Sequence, residues 1–188
     1  NWMIYQEGDI YTLGTQGAGS AWVPGGNTWT DYALRAKVLH ESGVLSINYR
    51  VSPEGRYFVN LRDNGIFLAK EQPAGTITTL VENDLPAVGV WHNMVIAGEG
   101  GIIQVYVDSQ LVLSYTDPMP LAGGTIGFGS LVDSHVSVDD LIVNRLNNHL
   151  PQASAGWTPS TDQSGEESAG PALVDVPAAD AEAPPLPD

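Results

Sequence analysis

Short apolar runs alternate with polar turns along residues 1–146, and no window of this segment shows the periodicity of an amphipathic helix. The runs are rich in valine, isoleucine, tyrosine and tryptophan and are separated by glycine and proline. They predict thirteen strands, near residues 2–5, 9–13, 20–23, 31–40, 43–51, 56–62, 66–70, 76–82, 91–97, 102–107, 111–115, 124–129 and 135–143. Thirteen short antiparallel strands are too many for one open sheet, and two sheets packed face to face would share a core. We therefore predict an all-β fold, a two-sheet antiparallel jelly-roll β-sandwich.

Two adjacent turn signals predict the register of three of these strands. The segment Ser52-Pro53-Glu54-Gly55 is typical of a three-residue hairpin loop, and Asn64-Gly65 is typical of a type I′ turn. The first turn pairs Tyr49 with Val59, Arg50 with Phe58 and Asn48 with Asn60, and the second pairs Leu61 with Leu68 and Arg62 with Phe67. Both turns place apolar side chains on one face, which we interpret as the core, and hydrogen-bonding groups on the other.

The polar face of this predicted sheet combines planar donors with aromatic rings. Its candidate ligand-binding residues are Asn48, Arg50, Phe58, Asn60, Arg62 and Phe67. Amide and guanidinium groups beside rings suit a polyhydroxylated ligand, because they bind hydroxyl pairs while a ring covers the C–H face of a sugar. The alternative is a solvated outer face with cross-strand Arg and Asn pairs. Trp22, Trp29 and Trp91 begin or end strands, which favours core or rim anchors over sugar platforms.

Charge and composition narrow the range of partners. The chain has 7 basic and 22 acidic residues and a net charge of −15, which disfavours nucleic acid and anionic membrane surfaces. Its apolar runs are far shorter than the ~18 residues of a membrane helix, so no membrane insertion is expected. The absence of cysteine excludes disulfides and thiolate chemistry. The chain begins with Asn1, which suggests either a processed mature form or an excised segment. On the first alternative, with an export signal removed, we expect an extracellular or cell-surface location.

A change in composition near residue 147 predicts a domain boundary. Residues 1–146 form the predicted sandwich, and residues 147–188 form an acidic tail rich in proline, alanine and serine. Such a segment is typical of a flexible linker. Alternatively it docks on a sheet edge of its own or of a neighbouring subunit, which would give a homo-oligomer. The candidate docking residues are Trp157, Leu173, Val174 and Val176.

Four acidic residues near the two ends of the predicted sandwich, Glu7, Asp9, Asp139 and Asp140, are candidates for catalytic groups or metal ligands. Glu7 and Asp9 approach the Glu-x-Asp-x-x-Glu pattern of retaining glycosidases, but Thr12 stands where the second glutamate belongs. Asp139 and Asp140 point to opposite faces of a strand, so they cannot act together. The more specific interpretation is a structural calcium ion, with one ligand from Glu7 or Asp9 and another from Asp139 or Asp140. The alternative is an aspartate that only makes structural hydrogen bonds.

The order of several segments resembles a known superfamily. WTDYALRAKV, GVLSINYRVSPEGRYFVNLRDNGIFLAK, VWHNMVIAGEGGIIQVYVDSQLVLSYTD, GTIGFGS and VSVDDLIV follow one another over about residues 20–146. This order resembles the concanavalin A-like lectin/glucanase superfamily, and within it the laminin G-like jelly rolls and bacterial 3-keto-disaccharide hydrolase domains. The resemblance implies a sheet that binds sugar or protein, often in extracellular proteins, and sometimes a structural calcium ion. The resemblance does not assign an enzymatic activity to this chain. At one hairpin, Asp108-Ser109-Gln110 departs from the Asp-Gly turn that the family favours.

Three functional hypotheses follow from the sequence. The first is a non-catalytic extracellular recognition module that binds glycan or protein through the polar sheet face or end loops. The second is a structural subunit of a cell-surface or filamentous assembly, joined through the tail. The third is a sugar hydrolase, for which only the family resemblance speaks, because no catalytic carboxylate motif is recognisable.

Overall fold

The fold consists of two antiparallel sheets and is described by a computed structural model for residues 2–7, 10–84, 86–146 and 150. The seven-stranded sheet contains, in spatial order, β1 (Met3–Glu7), β2 (Ile10–Gln16), β13 (His135–Arg145), β4 (Tyr32–Ser42), β9 (Trp91–Glu99), β10 (Ile102–Val107) and β11 (Gln110–Thr116). The six-stranded sheet contains β3 (Gly19–Trp22), β12 (Thr125–Ser130), β5 (Val44–Ser52), β6 (Gly55–Arg62), β7 (Gly65–Gln72) and β8 (Thr76–Asn83). A short 3-10 turn, Pro73–Gly75, joins β7 to β8.

The core lies between the two sheets and confirms the predicted sandwich. Tyr49, Val59 and Leu68 on the inner face of the six-stranded sheet are fully buried. Val38 and Ile96 on the facing sheet pack into the same cluster. The predicted alternation of core and outer positions is therefore correct along β6 and β7 and along β5 as far as Tyr49. No helix in the described ranges is long and apolar enough to cross a membrane.

The registers of both predicted hairpins are wrong by two residues. Tyr49 lies opposite Tyr57, not Val59, for two reasons that each shift the register by one residue. The turn is one residue shorter than predicted, so that Ser52 pairs with Gly55, and β5 contains a bulge in which Arg50 and Val51 together face one residue of β6. In the second hairpin Arg62 lies opposite Gly65, so the turn is one residue earlier than predicted. Outside the bulge, a shift of two residues leaves the side chains on their predicted faces, whereas a shift of one would exchange the faces.

The bulge removes Arg50 from the predicted polar face, which corrects its proposed place there. Its backbone has a φ of 51°, and its side chain is 1% exposed. The guanidinium group donates to the carbonyl oxygens of Thr30, Gly100 and Leu121 at 3.1, 2.7 and 3.1 Å. It also contacts Asp31 Oδ1 at 3.0 Å. Arg50 therefore ties loops together at one end of the sandwich and is not in a position to bind a ligand on the outer face.

A second buried polar cluster secures the loop between β11 and β12. Tyr57 Oη donates to Asp117 Oδ2 at 2.6 Å and accepts from the Leu121 backbone N–H at 3.0 Å. Lys70 Nζ donates to the same carboxylate oxygen at 2.8 Å and to the Met119 carbonyl at 2.6 Å. Burial raises the pKa of Asp117, but the hydrogen bonds from Lys70 and Tyr57 outweigh it, so the net pKa is lowered. The loop is therefore held by side chains of β6 and β7.

The turn between β10 and β11 departs from the Asp-Gly pattern without losing its geometry. Asp108 and Ser109 have φ values of 49° and 69°, and Val107 lies opposite Gln110. Both turn residues are thus left-handed, as a type I′ turn requires. Asp108 offsets part of this strain, because its carboxylate accepts from the Asn93 N–H at 2.9 Å and contacts His92 Nδ1 at 2.6 Å.

Candidate binding groove

The outer face of the six-stranded sheet forms a groove of about 720 Å³. Every strand of that sheet contributes to it. Its lining residues are Ser20, Trp22, Val44, Ser46, Asn48, Arg56, Phe58, Asn60, Arg62, Asn64, Gly65, Ile66, Phe67, Ile77, Thr79, Glu82, Asn83, Asp84, Gly129, Ser130 and Leu131. The sequence-predicted polar face is therefore the floor and wall of this groove, with Arg50 removed from it.

The strand registers align residues of the outer face, including ten of the lining residues, in two neighbouring rows across the sheet. One row runs Ser20, Gly129, Ser46, Asn60, Phe67 and Glu82, in the order β3, β12, β5, β6, β7 and β8. The neighbouring row runs Trp22, Gly127, Asn48, Phe58, Ala69 and Thr79. Small residues occupy the β3–β12–β5 end of the first row, and larger ones the centre. The groove therefore has an open part beside Trp22 and a filled part over β6 and β7.

Arginine side chains cover the two phenylalanine rings that the sequence identified as sugar platforms. The guanidinium carbon of Arg62 lies 4.4 Å from the centre of the Phe67 ring, and that of Arg56 lies 5.3 Å from the centre of the Phe58 ring. Phe58 is also only 5% exposed. Each phenylalanine therefore has one ring face covered by an arginine, and that face is not free for a sugar to stack on.

Trp22 presents the exposed ring of the groove, although its sequence position favoured a core or rim anchor. The residue is 48% exposed, and a Cβ atom added to Gly127 would lie 2.3 Å from Trp22 Cε3. The missing side chain of Gly127 thus gives the indole ring space to lie against the sheet. The sequence signal that could have found it is the cross-strand pairing of a tryptophan with a glycine, which requires the register of β3 and β12.

A fixed hydrogen-bond network orients one of the two predicted asparagines. Arg56 Nη1 donates to Asn48 Oδ1 at 2.8 Å, and Arg56 Nε donates to Glu71 Oε2 at 2.6 Å. Asn48 is 1% exposed, so its amide is held at the base of the groove. Since guanidinium is only a donor, it must face the amide oxygen and leave the NH₂ group directed elsewhere.

The second asparagine carries a buried acceptor without a partner. Asn60 is 6% exposed, and its Oδ1 accepts no hydrogen bond from any described residue. A buried polar atom without a partner costs about 1–3 kcal/mol, so this acceptor is a candidate for a hydrogen bond with a ligand or with solvent. Arg62, in contrast, is exposed, and no described carboxylate lies within 4.0 Å of its guanidinium nitrogens.

The described part of the predicted calcium site is occupied by other interactions. Asp140 Oδ2 lies 2.6 Å from Lys37 Nζ, and Asp139 Oδ1 accepts the backbone N–H of Asp140. Asp9 and the side chain of Glu7 lie outside the described residues, and no three carboxylate or histidine groups cluster within the described part. Calcium binding stays a prediction. The tail residues Trp157, Leu173, Val174 and Val176 also lie outside the described part, so tail docking stays a prediction.

Solved structures similar to this chain share its fold at low sequence identity. Carbohydrate-binding module CBM66 from Bacillus subtilis is 14% identical with a TM-score of 0.62, covering 77% of this chain and 92% of that one. A Bacillus subtilis protein of unknown function with a galectin-like fold is 12% identical with a TM-score of 0.63, covering 77% and 86%. Galectin LEC-6 of Caenorhabditis elegans is 18% identical with a TM-score of 0.52, covering 70% and 94%.

These structures confirm the jelly-roll sandwich that the sequence resemblance implied, and two of them are carbohydrate-binding or galectin proteins by name. No protein-family model matches the chain, and no curated protein matches it.

Proposed function

We propose that this chain is a non-catalytic, exported recognition module that binds a glycan in the groove. The observation that carries the proposal is the half-exposed Trp22 ring beside hydrogen-bonding groups of β5 and β6. An indole ring covers the C–H face of a sugar while amide and guanidinium groups bind its hydroxyls. The names of two structures that share the fold, a carbohydrate-binding module and a galectin, support this class of ligand.

The proposal is tested by removing the ring and measuring glycan binding. Trp22→Ala should weaken binding of any glycan captured on an array by roughly tenfold. Trp91→Ala is the matched control, because Trp91 is similarly exposed at 43% but lies on β9 in the other sheet. Equal binding by both variants and the wild type, or capture of no glycan at all, would contradict the proposal.

A second variant separates loss of binding from loss of folding. A Cβ atom at Gly129 would lie 3.5 Å from its nearest neighbour, Ser46 Cβ, so Gly129→Ala fits without strain. Replacing glycine at a compatible strand position stabilises by about 0.4–1 kcal/mol, while the new methyl group enters the groove. We therefore expect a higher melting temperature together with weaker glycan binding. The structural-subunit and hydrolase hypotheses stay predictions.

A further inference from the structure

Three neighbouring strands leave an open recess in the floor of the groove, formed by Ser20, Gly129 and Ser46. These residues lie side by side in one row across β3, β12 and β5. The atoms nearest to a Cβ placed on Gly129 are at 3.5 to 3.9 Å, which is ordinary van der Waals contact. A methyl group therefore fits at this position, and all three residues line the groove, with Ser20 on the same strand as Trp22.

A hydrogen-bond donor of fixed orientation borders the recess. Asn48 Nδ2 lies 3.9 Å from the position that a Gly129 Cβ would occupy. The Oδ1 atom of the same amide accepts from Arg56, which is itself held by Glu71. Rotating the amide would place its NH₂ group against the donating guanidinium, so the present orientation is the stable one.

An unpartnered hydrogen-bond acceptor belongs to the next residue of the same row, on β6. Asn60 lies opposite Ser46 on β6, and its buried Oδ1 has no partner among the described residues. The recess thus has a donor from Asn48 and an acceptor from Asn60. Two adjacent hydroxyl groups match this pair, because a hydroxyl oxygen can both accept and donate.

We infer that the recess binds two adjacent unsubstituted hydroxyls of a neutral sugar residue. One hydroxyl accepts from Asn48 Nδ2, the other donates to Asn60 Oδ1, and the apolar face of the sugar ring lies against Trp22. This inference rests on the proposed glycan binding and specifies its substrate class. A neutral ligand is favoured over an acidic one because the chain carries a net charge of −15 and because Glu82 and Asp84 line the β8 side of the groove.

Two substitutions that add the same carboxylate distinguish the donor from the acceptor. Asn48→Asp keeps an oxygen for Arg56 but replaces the NH₂ donor, so affinity should fall about tenfold or more. Asn60→Asp keeps an acceptor oxygen in place, so affinity should stay within about threefold. Asn60→Leu removes that acceptor and should again reduce affinity about tenfold. Circular dichroism and thermal unfolding of each variant confirm folding before binding is measured.

The compounds tested for binding are neutral gluco-, manno-, galacto- and fructo-oligosaccharides. Uronate and sulfated oligosaccharides are tested in separate arms of the experiment. Titration calorimetry then compares a captured neutral oligosaccharide with its monodeoxy analogues, and loss of binding on removing either of two adjacent hydroxyls supports the inference. Asn48→Asp and Asn60→Asp with equal affinities would overturn it. So would binding restricted to acidic oligosaccharides and abolished by Arg62→Gln. Binding that depends on Trp22 but not on either asparagine would overturn this inference and leave the proposed function standing, whereas no binding in any arm overturns both.

Arg56 has a separate, positioning role within this inference. It lines the groove, and its guanidinium group orients the Asn48 amide. Arg56→Leu should leave the Asn48 amide free to rotate, which weakens binding, while Arg56→Lys restores part of it by supplying a donor. A calorimetric binding enthalpy that becomes less favourable in Arg56→Leu and recovers in Arg56→Lys separates this role from a general loss of folding. Unchanged enthalpy in both variants would contradict it.

Discussion

Replacing Arg50 tests whether this residue belongs to the groove or to the framework. We choose Arg50→Met, because methionine keeps a long apolar stem and the same unfavourable left-handed backbone, so the comparison isolates the guanidinium group. The variant loses hydrogen bonds to three backbone carbonyls and one contact with Asp31. We therefore expect the loss to appear in stability and not in ligand binding.

The expected loss is about 3 kcal/mol. Each of the three carbonyl bonds of Arg50 contributes about 1 kcal/mol net. The Asp31 contact adds little, because that carboxylate is 43% exposed and screened by solvent. For a domain of this size, each kilocalorie lowers the melting temperature by about 2–4 °C, so we expect a decrease of roughly 6–12 °C.

Urea unfolding followed by tryptophan fluorescence measures the change, with Arg62→Met as the matched control. Arg62 is exposed on the same sheet and stacks on Phe67, so its replacement should cost less than about 1 kcal/mol. The midpoint should fall for Arg50→Met while the slope of free energy against urea stays constant. A loss below 1 kcal/mol, or a loss equal to that of the control, would refute the assignment of Arg50 to the framework.

Three further predictions concern the polar clusters and the left-handed turn. Tyr57→Phe leaves the Leu121 N–H without an acceptor and should cost about 2 kcal/mol in urea unfolding; a neutral result would contradict the cluster's role. Ser109→Gly should stabilise by about 0.5–1 kcal/mol, because glycine adopts a φ of 69° without strain, and a lower melting temperature would argue against the turn. Burial lowers the pKa of His92, but its hydrogen bonds with Asp108 and Ala87 outweigh it and raise the pKa above 6.5. The stabilisation from His92 is therefore full below pH 6.5 and is lost as pH rises through the raised pKa, so His92→Gln should cost more stability at pH 5.5 than at pH 8.5.

Alternation at period two was enough to predict the sandwich and the membership of its faces. It placed Tyr49, Val59 and Leu68 inside and Asn48, Asn60 and Phe67 outside, and the structure agrees. The errors in both hairpin registers did not affect this result, because each was an even number of residues. The alternation of apolar and polar residues therefore predicts the face on which a side chain lies more reliably than it predicts the residue opposite on the neighbouring strand.

What alternation could not predict depends on local backbone geometry and on cross-strand neighbours. A left-handed arginine in a bulge has no sequence signal, so Arg50 was placed on the wrong surface. Trp22 was interpreted as an anchor because its pairing with Gly127 joins strands about a hundred residues apart in the chain. The covering of Phe58 and Phe67 by arginines likewise depends on side-chain conformations that composition does not determine.

The position of each groove residue within the sheet sets how much it can move. Trp22 and Glu82 lie on β3 and β8, the two edge strands, which are paired on one side only. Asn48 and Asn60 lie on β5 and β6, which are paired on both sides and cover the core. Edge strands open locally at lower free energy than central ones. Amide exchange should consequently be slow at the two asparagines and faster at Trp22 and Glu82. The groove would then have a rigid centre between edges that can adjust to ligands of different length.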